Sequence, residues 1–489
     1  MNKHLLDKAR VFEAMQEMQI SEQERPAFHV TGTTGWINDP NGFSYYKNEY
    51  HLFYQYHPYS MQWGPMHWGH MKSSDLIKWE RLPIAMAPDE LYDRDGCFSG
   101  SALELKDGRQ LLMYTGVEKK RTEAGEEREY QTQCIAYGDG INYEKAQENP
   151  VIGKRELPEG ASEMDFRDPK IWCENEKFYV VTVNRIENGA VLLHESEDLV
   201  HWKYCGILDS SQGELGSMWE CPDFFSLDGK QILMVSPMEM KINGEDFHVG
   251  NGTVCSIGSY DKQTYQFKKE SQHLIDYGID FYAPQTMETP DKRRIMIAWM
   301  QAWSTSGFVP EGAKYFGQMT VPRELSVKNG RLYQNPVREL EKYRKEKVTY
   351  SNVEICKPTT LKGIEGRILD MTVELLDVNQ FHDFTIRVAS DGEYYTLIKY
   401  DSEKGILWVD RSNSGFLHDI VHARSITVKP MDNMLKLRIL LDRFSMEIFI
   451  NDGEKAASFC IYTPQNAEGI IFDSDGEARI NIEKYSLME

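Results

Sequence analysis

The feature that most constrains this chain is a repeat. Five segments share one design, a polar turn followed by a β-prone run: Lys47–Tyr54, Asp107–Tyr114, Asn175–Val181, Asp228–Val235 and Asp291–Trp299. Aligned on Leu52, Leu112, Val180, Leu233 and Met296, they recur at spacings of 60, 68, 53 and 63 residues. A second element recurs in the gaps. Ser73-Ser74-Asp75-Leu76-Ile77-Lys78-Trp79 matches Ser196-Glu197-Asp198-Leu199-Val200-His201-Trp202, with weaker copies at Tyr137–Tyr143 and Ser259–Tyr265. Its aromatic ends lie 64, 59 and 63 residues apart. A fixed period of this length marks a repeat architecture. Five units of four strands each predict an all-β fold, a five-bladed β-propeller.

The repeat covers only part of the 489 residues. Leu5, Leu6, Ala9, Val11, Phe12, Met15 and Met18 largely fit a helical stripe, so residues 1–30 are expected to be a helical extension. Residues 31–335 are the propeller. Residues 336–348, with Glu339, Leu340, Lys342, Tyr343 and Arg344, read as a short linker helix. From 349 to 489 strand patterns resume without the period, in runs such as Ile368–Leu376, Phe384–Val388, Tyr395–Tyr400 and Met446–Ile450. Alternation with frequent turns predicts a C-terminal β-sandwich.

The repeat phase locates the chemistry. Thirteen residues before each aligned apolar position stand Asp39, Ser99, Arg167, Glu220 and Ala283, with Asp168 next to Arg167. Equivalent positions in successive blades lie on a ring around one axis, so these residues are expected to meet at one end of the central channel. Asp39 sits among turn formers in Trp36-Ile37-Asn38-Asp39-Pro40-Asn41-Gly42, where Pro and Gly allow unusual backbone angles. Paired carboxylates in a cleft are the equipment of glycoside hydrolysis, one ionised and one protonated. Arg167 is expected to favour an ionised Asp168, and Trp219, Cys221 and Pro222 to desolvate Glu220. Asp223 reads as a local cap or bridge.

Three motifs, Trp36–Gly42, Phe166-Arg167-Asp168-Pro169 and Trp219-Glu220-Cys221-Pro222-Asp223, resemble the signatures of glycoside hydrolase family 32, the invertases, fructanases and sucrose-6-phosphate hydrolases. Phe281-Tyr282-Ala283-Pro284-Gln285-Thr286, Val321-Pro322-Arg323-Glu324-Leu325 and Asp442–Gly453 extend the similarity from about residue 26 to the end. The resemblance implies a propeller plus sandwich and a retaining mechanism. It implies Asp39 as nucleophile, Glu220 as acid/base and Asp168 as a stabiliser holding fructosyl hydroxyls. By position, Asn38, Gln55, Trp63, Phe98, Ser99 and Arg167 would line the fructose subsite, with Trp303 as a further wall.

The implied activity is release of fructose from sucrose, sucrose 6-phosphate or short fructo-oligosaccharides. A silent sugar-binding propeller is disfavoured by the three candidate carboxylates, while transfer to a sugar acceptor shares the same motifs. A phosphate on the leaving sugar would want cations on the rim, and Lys119, Lys120 and Arg121 are candidates. No metal-ligand spacing or cofactor motif occurs, and this chemistry needs neither. The formal net charge of −21 speaks against a nucleic-acid partner. No apolar run is long enough to span a bilayer, and Met1–Met18 lacks a signal-peptide core. The expected location is the cytoplasm, and eight Cys without C-x-x-C pairs are expected as free thiols. Nothing in the sequence specifies an oligomeric state.

Overall fold

The computed structural model describes residues 4–122, 124–244, 247–306, 312–415 and 420–488. The chain is a five-bladed β-propeller followed by a β-sandwich. Each blade is an antiparallel sheet built around four strands. The inner strands are Gly35–Tyr46, Gly96–Glu104, Phe166–Glu174, Met218–Leu227 and Tyr282–Glu288. Each packs against the next, and the fifth packs against the first, which closes the ring. Tyr315–Phe316, from the long excursion of blade five, pairs in parallel with Gly35 and Trp36 and ties the last blade to the first.

The second repeated element is the turn before the outer strand of blades one to four, and it has a physical cause. Asp75 Oδ1 accepts from the amides of Ile77 and Lys78, while Trp79 Nε1 donates to Leu76 O. Asp198 and Trp202 make the same bonds with Val200, His201 and Leu199. In the weaker copies Asp139 and Asp261 keep the Asx-type bonds. The repeat is a turn whose carboxylate replaces missing backbone partners.

The sandwich pairs a six-stranded sheet with a five-stranded one. Within Leu369–Leu376, buried and half-buried residues alternate from Met371 onward, as a strand with one covered face should. Ser445–Ile450 and Lys455–Cys460 are buried at every position. The far face of this edge lies against the propeller: the amides of Tyr277 and Ile279 donate to Ala456 O and Ser458 O. The stretch read as a linker helix holds a 3₁₀ helix, Arg338–Tyr343, which runs directly into the strand Arg344–Ile355. The N-terminal helix, His4–Glu17, packs on the outer strand of blade one. All eight cysteines are free. Among the described residues no helix is long and apolar enough to cross a membrane.

Candidate active site

Every inner strand carries a β-bulge near its start, each with one extra residue on the inner strand. The breaks fall between Ile37 and Pro40, Phe98 and Gly100, Arg167 and Lys170, Glu220 and Asp223, and Tyr282 and Gln285. Four bulges contain an X-Pro step: Asp39-Pro40, Asp168-Pro169, Cys221-Pro222 and Ala283-Pro284. The other has Ser99-Gly100. Proline lacks the N–H that a regular ladder would use, so a bulge is where an inner strand can hold it. Asp168, Cys221 and Ala283 have φ of 62°, 46° and 52°, which turns the chain sharply and re-aims the side chains.

This punctuation corrects the sequence phase. By the X-Pro steps the equivalent residues are Asp39, Ser99, Asp168, Cys221 and Ala283. Arg167 and Glu220 stand one place earlier, in a second row with Asn38, Phe98 and Tyr282. Counting back from an apolar strand position slips by one in blades three and four.

Within the first row, Ser99 Oγ donates to Asp39 Oδ2 at 2.6 Å, and the Cys221 thiol lies 3.4 Å from the same oxygen. Asn38 Nδ2 donates to Asp39 Oδ1 at 3.1 Å, and Trp36 Nε1 orients Asn38 by donating to its Oδ1 at 2.8 Å. Asp168 accepts from the Cys221 amide at 2.9 Å. In the second row, Arg167 Nε and Nη2 reach Glu220 Oε1 at 3.2 and 3.1 Å, and the Tyr282 hydroxyl donates to Glu220 Oε2 at 2.7 Å. Asp39, Asp168, Arg167 and Glu220, distant in sequence, thus come together in one charged cluster with Asn38 and Ser99.

The charges are unbalanced. Asp39 and Asp168 are buried, whereas the Glu220 side chain keeps 17% of its surface exposed. Burial, and then repulsion from Glu220, raises the Asp39 carboxyl above its usual range. Asp168 is also raised: burial outweighs the opposing pull of Arg167, and Glu220 and Asp39 add to it. Arg167 does favour an ionised Asp168, as expected, but burial outweighs it, and the guanidinium's own hydrogen bonds go to Glu220. Asp223 lies outside the cluster. It pairs with Lys170 and accepts from the Thr286 amide, which bridges three blades.

The remaining predicted residues form the surroundings. Gln55 is buried and donates to Cys97 O, behind Phe98. Trp63 is 45% exposed and meets Phe98 edge-on at 5.8 Å. Trp303 stacks on Trp36 at 6.1 Å. The hydrogen-bonding roles of Cys221 and Tyr282, and a clamp from blade two, escaped the sequence reading. Thr115 Oγ1 accepts from the Asp168 amide, Gln133 Nε2 donates to Phe166 O, and Gln131 Oε1 accepts from the Phe166 amide. The alternation Gln131-Thr132-Gln133, two amides on one face of a buried strand, was the available signal. Among the described residues no group of three or more His, Cys, Asp or Glu is placed to hold a metal ion.

Comparison with known proteins follows the same outline. The family model described as Glycosyl hydrolases family 32 N-terminal domain matches residues 29–336, and that described as Glycosyl hydrolases family 32 C terminal matches 339–489. A sucrose-6-phosphate hydrolase of Zymomonas mobilis subsp. mobilis is 38% identical over 464 residues, covering 90% of this chain and 87% of that protein. A raffinose invertase of Escherichia coli is 37% identical over 461 residues, 93% of each. Among solved structures, a variant β-fructofuranosidase of Bombyx mori in complex with sucrose superposes with a TM-score of 0.86 at 32% identity, covering 100% of this chain and 99% of that one.

Proposed function

The chain belongs to glycosyl hydrolase family 32, and on that premise we propose how its residues divide the work. The protein is a β-fructofuranosidase, a retaining hydrolase that releases fructose from sucrose, sucrose 6-phosphate or short fructo-oligosaccharides through a covalent fructosyl-enzyme intermediate. In the first step Asp39 attacks the anomeric carbon while Glu220 protonates the departing sugar oxygen. In the second, Glu220 takes a proton from water as that water displaces Asp39. Configuration is inverted twice and so retained.

The observation that carries this division is the difference in what holds the two carboxyls. Asp39 is gripped by Ser99 and Asn38 on both oxygens, as a nucleophile that must keep one line of attack should be. Glu220 is the more exposed, and Arg167 and Tyr282 hold its two oxygens, which suits a group that gives up and regains a proton. Asp168, buried between them in the ring, is assigned to the fructosyl hydroxyls. Asn38, Gln55, Trp63, Phe98, Ser99, Arg167 and Trp303 shape the fructose subsite. Retention calls for about 5–5.5 Å between the Asp39 and Glu220 carboxyls.

Lys119, Lys120 and Arg121 are weak candidates for a phosphate site. They stand opposite Glu129, Arg128 and Glu127 on a hairpin, and Lys120 also pairs with Glu118. We further infer a reducing, cytoplasmic setting, since all eight thiols are free; full activity in dithiothreitol is the expected outcome.

The test uses two donors. A positioned acid contributes about 10²–10⁴ in rate, and less when the leaving group is already good. Glu220→Ala should lose sucrose turnover but keep the first step with fructosyl fluoride, and azide should then yield a fructosyl azide of retained configuration. Asp39→Ala should fail with both donors. Equal loss of both donors in Glu220→Ala, with azide rescue of Asp39→Ala and retention, would reverse the two roles.

A further inference from the structure

The far end of the propeller channel holds a second cavity, of about 580 Å³. Its walls come from the later halves of all five inner strands, at Phe43–Tyr45, Ala102–Glu104, Lys170–Glu174, Asp223–Ser226 and Thr286–Glu288. It therefore sits beneath the carboxylate cluster, at the opposite end of the same strands. A volume of this size is in the range of small-molecule sites.

Polar groups on the residues that line it are incompletely used. Arg294 is stacked on Phe225 at 4.7 Å, and its only ion-pair neighbour among the described residues is Glu288, at 3.9 Å. Glu288 is itself held by Lys292 at 2.7 Å. No hydrogen-bond acceptor within the described protein meets the Arg294 guanidinium. Asp223, 1% exposed, uses only Oδ2, for Lys170 and the Thr286 amide; its Oδ1 is buried without a partner. Thr286 Oγ1, on a residue also 1% exposed, is likewise unpartnered. A buried carboxylate oxygen and a buried hydroxyl left open are destabilising unless something fills them.

These groups ask for a specific chemistry. The guanidinium wants an anionic acceptor, best a carboxylate or phosphate. Asp223 Oδ1 wants a hydroxyl donor, and Thr286 Oγ1 can give or take one hydrogen bond. Trp172 and Tyr260 add flat apolar walls to the same cavity, of the kind that cover a sugar ring. Glu104 and the Glu174–Lys262 pair also line the cavity, so a bare anion would gain less than one carrying hydroxyls.

We propose that this rear cavity is a second ligand site, built for a small polyhydroxylated anion: a sugar that carries a phosphate or a carboxylate. Its occupancy is coupled to turnover through three shared strands. Lys170 follows Arg167 and Asp168, Asp223 follows Glu220, and Thr286 follows Tyr282, each within four residues on one strand. A ligand drawn toward Arg294 and Asp223 shifts the strands whose bulges aim the carboxylates.

Calorimetry on the whole protein tests this with glucose 6-phosphate, gluconate, glucose and inorganic phosphate as probes. At least one sugar anion should bind at least tenfold more tightly than glucose or phosphate alone; which one binds tells phosphate from carboxylate. Arg294→Gln should weaken that binding at least tenfold and leave kcat/KM for sucrose within twofold. Thr286→Val should weaken it too, and serves alone if Arg294→Gln does not fold. The sugar anion should change sucrose turnover without competing with sucrose. The proposal is overturned if no probe binds, if binding survives both substitutions, or if it is purely competitive with sucrose. Because binding is read directly, an error in the assigned substrate leaves the test intact.

Discussion

Two buried charge clusters in this protein look alike on paper and behave oppositely. One is the mouth, with Asp39, Asp168 and Glu220 around Arg167. The other is the seam between propeller and sandwich. There His29 bridges Asp442 and Glu447 at 2.8 and 2.9 Å, Arg323 joins Glu447 to Asp276, and Arg411 pairs with Asp280. In the seam nearly every carboxylate oxygen has donors. Asp442 also accepts from the amides of Ala27 and Phe28, Glu447 from that of Val321, and Asp280 from that of Cys460. Burial disfavours charge there too, yet donors outweigh it, so Asp442 and Glu447 fall below their usual range. Asp276, where burial wins, is the exception. At the mouth burial and repulsion between the carboxylates outweigh the donors, and Asp39 and Asp168 rise. A satisfied cluster joins domains; an unsatisfied one waits for a ligand.

The contrast breaks most visibly with Asp39→Ala. Loss of the proposed nucleophile should lower sucrose kcat by about 10⁴-fold or more, while the melting temperature holds or rises, because a buried, repelled carboxylate has gone. A clear drop in melting temperature would mean that the mouth stabilises the fold after all. Glu447→Gln should do the reverse. Leaving His29 and Arg323 short of a carboxylate in a buried site should cost about 3–5 kcal/mol in denaturant unfolding, with unchanged kcat/KM per folded molecule. A selective loss of activity at full stability would join the two clusters functionally.

Tyr282→Phe is a sharper probe. It removes one hydrogen bond to Glu220, and bonds to charged groups are worth about 1.5–3 kcal/mol. Sucrose kcat should fall by about 10–100-fold, and the alkaline limb of the pH–rate profile should move. Unfolding should hardly change; loss of stability without a pH shift would make Tyr282 merely structural.

The smallest effect is in pH dependence. Burial lowers the tendency of His29 to charge, but its two carboxylate partners win and raise its pKa from 6.5 to about 9. Its stabilising contribution is thus complete below pH 6.5 and disappears as pH rises toward and through about 9. The gap in melting temperature between wild type and His29→Gln should be widest below pH 6.5 and close above pH 9. At the mouth the sign is the same, but the window starts lower. With raised carboxyls, the folded state binds more protons than the unfolded one, so stability falls as pH rises from about 4 toward their folded values. Asp168→Asn should flatten that slope and leave the seam's alkaline loss in place.

Much of this was legible in the chain. The period of about sixty residues, the Asp-Leu-x-x-Trp turns and the carboxylate motifs are local features. Each rests on bonds between residues a few places apart, such as Asp198 with His201, and so leaves its pattern in the sequence. Such local patterns sufficed to recover the blades and their number and to bring Asp39, Ser99, Arg167, Asp168 and Glu220 to one end of the channel. What tertiary structure decided is of two kinds. The first is the one-residue slip. A bulge inserts a residue without changing composition, so it separates Arg167 and Glu220 from the row of Asp168 and Cys221 with no signal beyond an X-Pro step. The second is partnership across the chain. Arg167 lies two residues from Asp165 and next to Asp168, yet it hydrogen-bonds Glu220, 53 residues away. His29 meets Asp442 across 413 residues. Charge pairs of this range are set by which blades and sheets pack together, and burial then determines whether each carboxylate is held or left wanting. No local pattern encodes that outcome, because the same Asp is a solvated turn residue, a domain tie or a nucleophile according to what closes over it.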